Sequence, residues 1–376
     1  MDLRKITYIF VVGIALFSMF FGGGNLTFPL WIGIQTESLT PTTLGFLISG
    51  VLLPFYGVVI GLYFKGDYEK LLGVWGKTIG AIFTFLLLLF WIPLGSGPRC
   101  NQLAYGAFSQ MGWNLPLWIH SAIYSVIVYA LTYRKRRILD ILGDVITPIL
   151  LVSLMLFVYL GVVNAENIPT AALAMDWGEF TEAFQSGYLT MDFIAAIFFT
   201  STIISLVRAK KGQNYPLKSI YYSCLIGIIC LSVVYIGMIF VGDLNSVLLS
   251  KVSRDQLLAA LGKAVFHERY HFLMFTVITL SCLTTSVALA FVFADYMRKS
   301  IFQNKLGHGS CLAISIFISF ALSMVGFESL AVLISYAMST LYPFLLLTTT
   351  VAFAKSLYQN RCPKKKHSKV VSATNS

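Results

Sequence analysis

The most constraining stretch of the chain is Ser18-Met19-Phe20-Phe21-Gly22-Gly23-Gly24-Asn25-Leu26-Thr27-Phe28-Pro29, set inside an apolar run from Ile6 to Ile34. The run is long enough to cross a bilayer as a helix. Three consecutive glycines and a proline oppose a continuous helix there, the glycines through backbone entropy and the proline through its missing donor. Backbone groups opened at that depth have no water to bond, so protein or a bound solute must satisfy them. The stretch predicts two half-helices meeting near the midplane, with free carbonyls ending one and free amides starting the other. Carbonyls suit a cation and helix-start amides suit a carboxylate. The competing reading is a packing cluster of small residues, but a GxxxG contact spaces its glycines and has no use for Asn25 beside them.

The rest of the chain belongs in the same solvent. It is 57% hydrophobic and 11% charged, with a mean hydropathy of +0.79, whereas soluble domains carry about 25% charged residues. With roughly 20 apolar residues per crossing, spans are expected at about 7–34, 42–64, 79–110, 115–132, 139–163, 179–207, 217–241, 270–299, 309–325 and 329–354. No period-two alternation competes. The expected fold is an all-α integral membrane protein of about ten transmembrane helices. The first run is too long for a signal peptide and lacks a small-residue cleavage site, so it reads as retained.

Basic residues fall on alternate connections: Arg4/Lys5, Lys65/Lys70/Lys77, Arg134–Arg137, Arg208/Lys210/Lys211/Lys218, Arg298/Lys299/Lys305 and the tail of residues 355–376. The other side carries Glu37, Glu166, Asp176, Glu179, Glu182, Asp243 and Glu328. By the positive-inside rule both termini are cytoplasmic, which an even number of spans allows. The net charge of +11 is therefore topological, and no nucleic-acid partner is expected. The cysteines, Cys100, Cys224, Cys230, Cys282, Cys311 and Cys362, show no CxxC or Cys/His spacing. Neither a metal site nor a disulfide framework is indicated.

Two further spans carry interruptions, Trp91-Ile92-Pro93-Leu94-Gly95-Ser96-Gly97-Pro98-Arg99 in the third and Gly187-Tyr188-Leu189-Thr190-Met191-Asp192 in the sixth. The sixth span comes five crossings after the first, so the two run in opposite directions. That is the pattern of a five-plus-five inverted repeat with the site at the interface. It makes residues 1–376 a single domain, with repeat one at about 7–163 and repeat two at about 179–354, followed by the basic tail.

The residues that can carry chemistry cluster at these breaks. Asn25 is read either as a hard neutral cation ligand or as a helix cap, and the two roles are compatible. The amides of Gly23 and Gly24 can hold a carboxylate. Asp192 is a carboxylate inside a span, which is costly and marks a site unless it caps its helix. Arg99 either pairs with a carboxylate or snorkels. Ser281, Thr284 and Thr285 share a helix face, as ligands or as hydroxyls bonded back to their own helix. Asp140, Asp144 and Asp295 near span ends read as solvated or paired, and Gly57 with Gly61 as a packing step. No hydrolase, transferase or nucleotide-binding motif is present, and the chain is not read as an enzyme.

Phe20-Phe21-Gly22-Gly23-Gly24-Asn25-Leu26-Thr27-Phe28-Pro29 and Gly187-Tyr188-Leu189-Thr190-Met191-Asp192 resemble the branched-chain amino acid:cation symporter family, the bacterial BrnQ-type carriers. The likeness extends to Pro98-Arg99, Cys282-Leu283-Thr284-Thr285 and Leu341-Tyr342-Pro343, and so covers nearly the whole chain. The family belongs to the amino acid–polyamine–organocation superfamily, with its LeuT-like five-plus-five repeat. Two departures stand out: family members usually carry two further helices, and often a second proline where this chain has Leu30. The resemblance implies import of leucine, isoleucine and valine across the bacterial inner membrane, driven by Na⁺ or H⁺. It implies substrate contacts at Gly22, Gly23, Gly24, Asn25, Leu189, Thr190 and Asp192. It also implies a Na⁺ site where the carbonyls of Ser18 and Phe21 face Ser281, Thr284 and Thr285, and a second cation site at Asn25 and Thr190. No other cofactor is implied, and the partners are a small amino acid and the lipid bilayer. The alternatives are a same-fold carrier for another small zwitterion or a nucleobase, a channel, or a membrane-embedded enzyme. Competition, saturation with cation-driven accumulation, and turnover in detergent discriminate these in turn.

Overall fold

The glycine run bends the first span. In the computed structural model α1 (Leu3–Phe20) and α2 (Gly23–Gln35) pass together as one apolar crossing bent by 70°. The structure describes residues 3–133, 146–165, 176–252, 257–265, 271–325 and 327–361, and among them no strand occurs. The expectations for Arg134–Arg137, Asp140, Asp144, Glu166 and the end of the tail fall outside these residues.

After α2 come α3 (Leu39–Tyr63), the short α4 (Tyr68–Leu72), α5 (Lys77–Gln110), α6 (Leu117–Tyr133) and α7 (Thr147–Val163). The sixth expected span is α8 (Trp177–Tyr188) followed by α9 (Asp192–Lys211); α10 (Leu217–Leu244), the short helices Ser246–Leu249 and Leu257–Val265, α11 (His271–Tyr296), α12 (His308–Leu322) and α13 (Phe327–Arg361) follow. Among the described residues six helices are long and apolar enough to cross a membrane, or seven with the bent pair. The apolar helices α6, α7 and α12 are shorter.

The two later interruptions turn out differently. The sixth-span break is real: the helix stops at Tyr188, and Met191 adopts a left-handed φ of 62° before α9 begins. That conformation costs a non-glycine residue of order 1 kcal/mol. The axis nevertheless carries through, so Trp177–Lys211 remains one 35-residue span. The third span, by contrast, is not broken. Lys77–Gln110 is one helix of 34 residues in which Ile92–Ser96 forms a π-helical turn. Pro93 and Pro98 remove two donors from the ladder, and the wider turn, with Gly97 N–H donating to the Ile92 carbonyl, bridges the gap without ending the helix.

α10 packs along both halves of the bent span. Its approach to α2 is backbone to backbone, since a Cβ on Gly33 would stand 2.1 Å from the Ile239 carbonyl oxygen and one on Gly242 would stand 2.4 Å from that of Leu30. α11 lies against α1 and against the second half of α5. Gly57 and Gly61 of α3 face Ala196 and Thr200 of α9, an ordinary small-residue helix contact. These packings fix the two breaks beside each other and close a core of α1, α2, α9, α10 and α11 around them. Asp295, at the end of α11, pairs with Lys299 at 2.6 Å.

Candidate functional site

At the first break the hydrogen-bond ladder stops for a traceable reason. Phe21 N–H still reaches the Phe17 carbonyl at 2.9 Å, but Gly22 N–H leaves the helix and donates to Asn25 Oδ1 at 3.0 Å. Asn25 is the third residue of α2, so this is the returning half of a capping box. Gly22 itself is extended, at φ −115°, a conformation open to any residue. What requires glycine is space, because a Cβ there would lie 3.0 Å from the Thr285 side chain.

The carbonyls released at the end of α1 turn toward α11. Ser281 Oγ donates to the Phe21 carbonyl at 2.9 Å. Thr285 Oγ1 lies 3.5 Å from the Ser18 carbonyl and 3.3 Å from that of Met19, long and shared distances that hold the hydroxyl loosely. Thr284 behaves differently: its hydroxyl bonds back to the Ser281 carbonyl of its own helix at 3.0 Å. Ser18 Oγ likewise bonds back, to Ala15, leaving only its carbonyl for the cluster. Ser18, Phe21, Ser281 and Thr285 are thus brought together, all buried. They form a neutral, oxygen-rich wall of the kind a small hard cation accepts.

The second break supplies a charge. Asp192 is the first residue of α9 and is 1% exposed. The Asn25 amide nitrogen lies 2.9 Å from each of its carboxylate oxygens, and the Tyr235 hydroxyl of α10 donates to Oδ2 while accepting from Asn25. The orientation of the Asn25 amide follows from this network: reversed, it would set oxygen against carboxylate and nitrogen against an N–H donor. Among the described residues the hydrogen-bond partners of Asp192 are neutral, so its charge is hydrogen-bonded but not paired there. An uncompensated carboxylate at such depth calls for a cationic solute or a proton. Thr190 turns its hydroxyl to the Gly187 carbonyl at 2.8 Å, closing the turn before Asp192. The N–H of Phe193, free at the start of α9, donates to the Tyr342 hydroxyl of α13 at 3.2 Å.

Between the breaks lies a pocket. Gly22, Gly23, Gly24, Asn25, Leu189, Thr190 and Asp192 all line it, as does Thr285. Helix starts leave their first amides without intrahelical partners, and the two residues that start α2, Gly23 and Gly24, line the pocket together with Asp192. The remaining wall is largely apolar: Phe20, Trp91, Ala195, Phe199 and Leu289. Trp91 and Phe20 lean on Phe199 at ring-centroid distances of 5.5 and 5.3 Å. Arg99 also lines the pocket, its guanidinium 5.6 Å from the Phe28 ring centroid. An amide wall, a carboxylate and an apolar recess together fit a small apolar zwitterion.

Tyr235 and Trp91 are absent from the sequence-derived set. A tyrosine and a tryptophan inside apolar spans look like ordinary core, and only the packing of α10 and α5 on the breaks shows otherwise. Tyr342 had a weak trace in the Leu341-Tyr342-Pro343 motif.

The profile of a family described as "Branched-chain amino acid transport protein" matches residues 5–376. A protein of Staphylococcus saprophyticus named as a branched-chain amino acid carrier is 29% identical over 353 residues, covering 89% of this chain and 78% of that one. A Staphylococcus haemolyticus protein of the same description is 29% identical over 354 residues, covering 89% and 79%. Among solved structures, Mhp1, a nucleobase-cation-symport-1 family transporter, in a closed conformation with bromovinylhydantoin bound, superposes with a TM-score of 0.58. That alignment covers 94% of this chain and 79% of that one at 20% identity, a likeness of fold alone.

Proposed function

Because the chain belongs to the branched-chain amino acid transport protein family, we propose that it is a secondary transporter importing leucine, isoleucine and valine by symport with Na⁺. The observation that carries this reading is the pocket between the breaks, where helix-start amides, an unpaired carboxylate and an aromatic recess meet. The substrate carboxylate sits at the Gly23 and Gly24 amides, the ammonium faces Asp192, and the aliphatic side chain enters the recess of Trp91 and Phe199. Na⁺ is held by the Ser18 and Phe21 carbonyls with Ser281 and Thr285, and Thr284 is the weakest ligand because its hydroxyl is engaged in its own helix.

Cation and substrate are coupled because both occupy the first break. An ion drawing α1 toward α11 fixes Gly22, and through it Asn25 and the amide wall, so each ligand strengthens the other by the same factor. The enclosing fold is the five-plus-five inverted repeat in one domain, with both termini in the cytoplasm of a bacterial cell and the chain in its inner membrane. The Mhp1-like architecture supports that arrangement of helices.

A second reading is favoured by one observation: among the described residues Asp192 has only neutral hydrogen-bond partners, so the coupling ion is a proton carried there, or a second cation shared by Asp192, Asn25 and Thr190. Leucine uptake into proteoliposomes, with Na⁺ and proton gradients imposed separately, decides between them. Accumulation under a Na⁺ gradient alone is the expected result. Accumulation under a proton gradient alone moves the coupling site to Asp192. Failure of leucine, isoleucine and valine to compete, while a nucleobase does, would overturn the substrate assignment.

A further inference from the structure

Glu179 is the third residue of α8, where a glutamate ordinarily folds back to cap its own helix. Here Asp176 takes the cap, accepting from Gly178 N–H at 2.7 Å and Glu179 N–H at 3.3 Å. The Glu179 carboxylate is left free to reach across to the connection between α2 and α3. Its Oε1 accepts from the Glu37 N–H at 2.7 Å. Its Oε2 accepts from the Thr36 hydroxyl at 2.8 Å, the Ser38 N–H at 2.9 Å and the Thr42 hydroxyl at 2.8 Å. Thr36, Ser38 and Thr42 are buried. All four donors are neutral and converge on one carboxylate, which makes the turn from Thr36 to Thr42 an anion nest occupied by the protein's own side chain.

The position of this nest matters as much as its chemistry. α2 and α8 share few direct contacts along their lengths. α2 is fastened instead at its two ends: near the pocket by Asn25 to Asp192, which starts α9 just beyond α8, and at the far end by Glu179 of α8. α8 is meanwhile set rigidly on α3, since a Cβ on Gly45 would stand 2.3 Å from the Phe180 carbonyl oxygen and one on Gly187 would stand 1.9 Å from Ser49 Oγ.

We infer that Glu179 is a positioning residue, a latch that fastens the half-helix α2 to the α3–α8 pair so that the two half-helices flanking the pocket move as one body. The inference rests on the transport reading for its consequence, but the latch can be measured without any solute. With the latch closed, displacement of α8 carries the Gly23 and Gly24 amides with Asp192, and the two walls of the pocket keep their spacing. With it open, the walls separate from the far end.

The test uses the full-length protein in proteoliposomes, with spin labels on Q35C and W177C, two exposed positions on either side of the nest. Dipolar broadening reports their separation. Glu179→Ala should widen that separation while leaving the thermal unfolding midpoint within a few degrees. Formate or acetate, small enough to enter the emptied nest, should narrow it again, and methylammonium should not. In the same vesicles the maximal leucine uptake rate should fall about tenfold, with equilibrium leucine affinity changing less than about threefold, and formate should restore part of the rate. An unchanged label separation in Glu179→Ala, or a separation and rate indifferent to formate, overturns the latch. A latch that opens and closes as described in a protein that neither binds nor moves leucine overturns the transport reading alone. Glu179→Gln keeps one acceptor oxygen but turns an amide donor toward donors, so its rate should lie between those of wild type and Glu179→Ala.

Discussion

At the first break the chain turns by 70° and offers only neutral oxygens, carbonyls of α1 facing hydroxyls of α11. At the sixth-span break the axis runs nearly through, one residue carries a left-handed φ, and the product is a buried carboxylate. The first is made by removing side chains, so that Gly22 can lie against Thr285. The second is made by keeping one, Asp192, and building a cage of Asn25 and Tyr235 around it. A neutral cage selects by size and by the number of ligands, while a carboxylate contributes charge and takes a proton as readily as a metal ion. Asn25 belongs to both, its oxygen on Gly22 and its nitrogen on Asp192.

The sharpest way to separate the two breaks is Asp192→Asn. It removes the carboxylate at the sixth-span break and sets a second amide against that of Asn25. Initial leucine uptake should fall about a hundredfold or more, in line with about 3 kcal/mol for breaking a buried charged network. Raising Na⁺ should not restore it, and recovery at high Na⁺ would merge the two sites into one. Thr285→Val comes next. The substitution keeps volume and removes one oxygen, so the Na⁺ concentration for half-maximal uptake should rise roughly 5–30-fold, the equivalent of about 1–2 kcal/mol. Leucine affinity should weaken at low Na⁺ and recover at saturation. If Na⁺ dependence stays as in wild type, the α1–α11 oxygens are packing and the coupling ion belongs at Asp192.

Tyr235→Phe tests whether the cage matters apart from its charge. Asp192 keeps Asn25 and loses one donor, and a deficit of about 1 kcal/mol predicts roughly fivefold weaker leucine binding. Equilibrium binding in detergent is the direct reading, and no change would reduce Tyr235 to a filler beside Phe46. The smallest effect should belong to Thr284→Val, within about twofold of wild type in Na⁺ titrations, because its hydroxyl already bonds the Ser281 carbonyl. A shift as large as that of Thr285→Val would show the hydroxyl rotating toward the ion.

Much of this was legible in the residues. Three glycines and a proline in an apolar run carry their own physics, as does a carboxylate within a span, and both breaks lie where those residues stand. Thr284 and Thr285 could not be told apart, because adjacent positions differ by about 100° in direction and only the placement of α1 selects one. Tyr235 was invisible for a related reason: its role depends on α10 tracking a bend more than two hundred residues away in sequence. Glu179 read only as one acid among several on its side of the membrane. Its partners lie across a fold that local pattern does not encode. The mistaken break at Trp91–Arg99 came from counting prolines and glycines as terminators when a widened turn can absorb them.

That π-helical turn also sets the phase of α5. Trp91 and Arg99 are eight residues apart, which in a regular α-helix leaves their side chains about 80° apart in azimuth. Absorbing one extra residue at Ile92–Ser96 reduces the effective separation to seven, about two full turns, and both residues then face the pocket. The turn therefore acts as a one-residue insertion that rephases everything after it. Deleting Leu94 should remove the extra residue and let the helix relax to uniform winding, leaving Trp91 and Arg99 seven residues apart and both still facing the pocket. Winding the turn regularly with every residue kept would instead rotate Arg99 and Cys100 away from Trp91, remodelling one wall of the pocket without substituting a single residue in it.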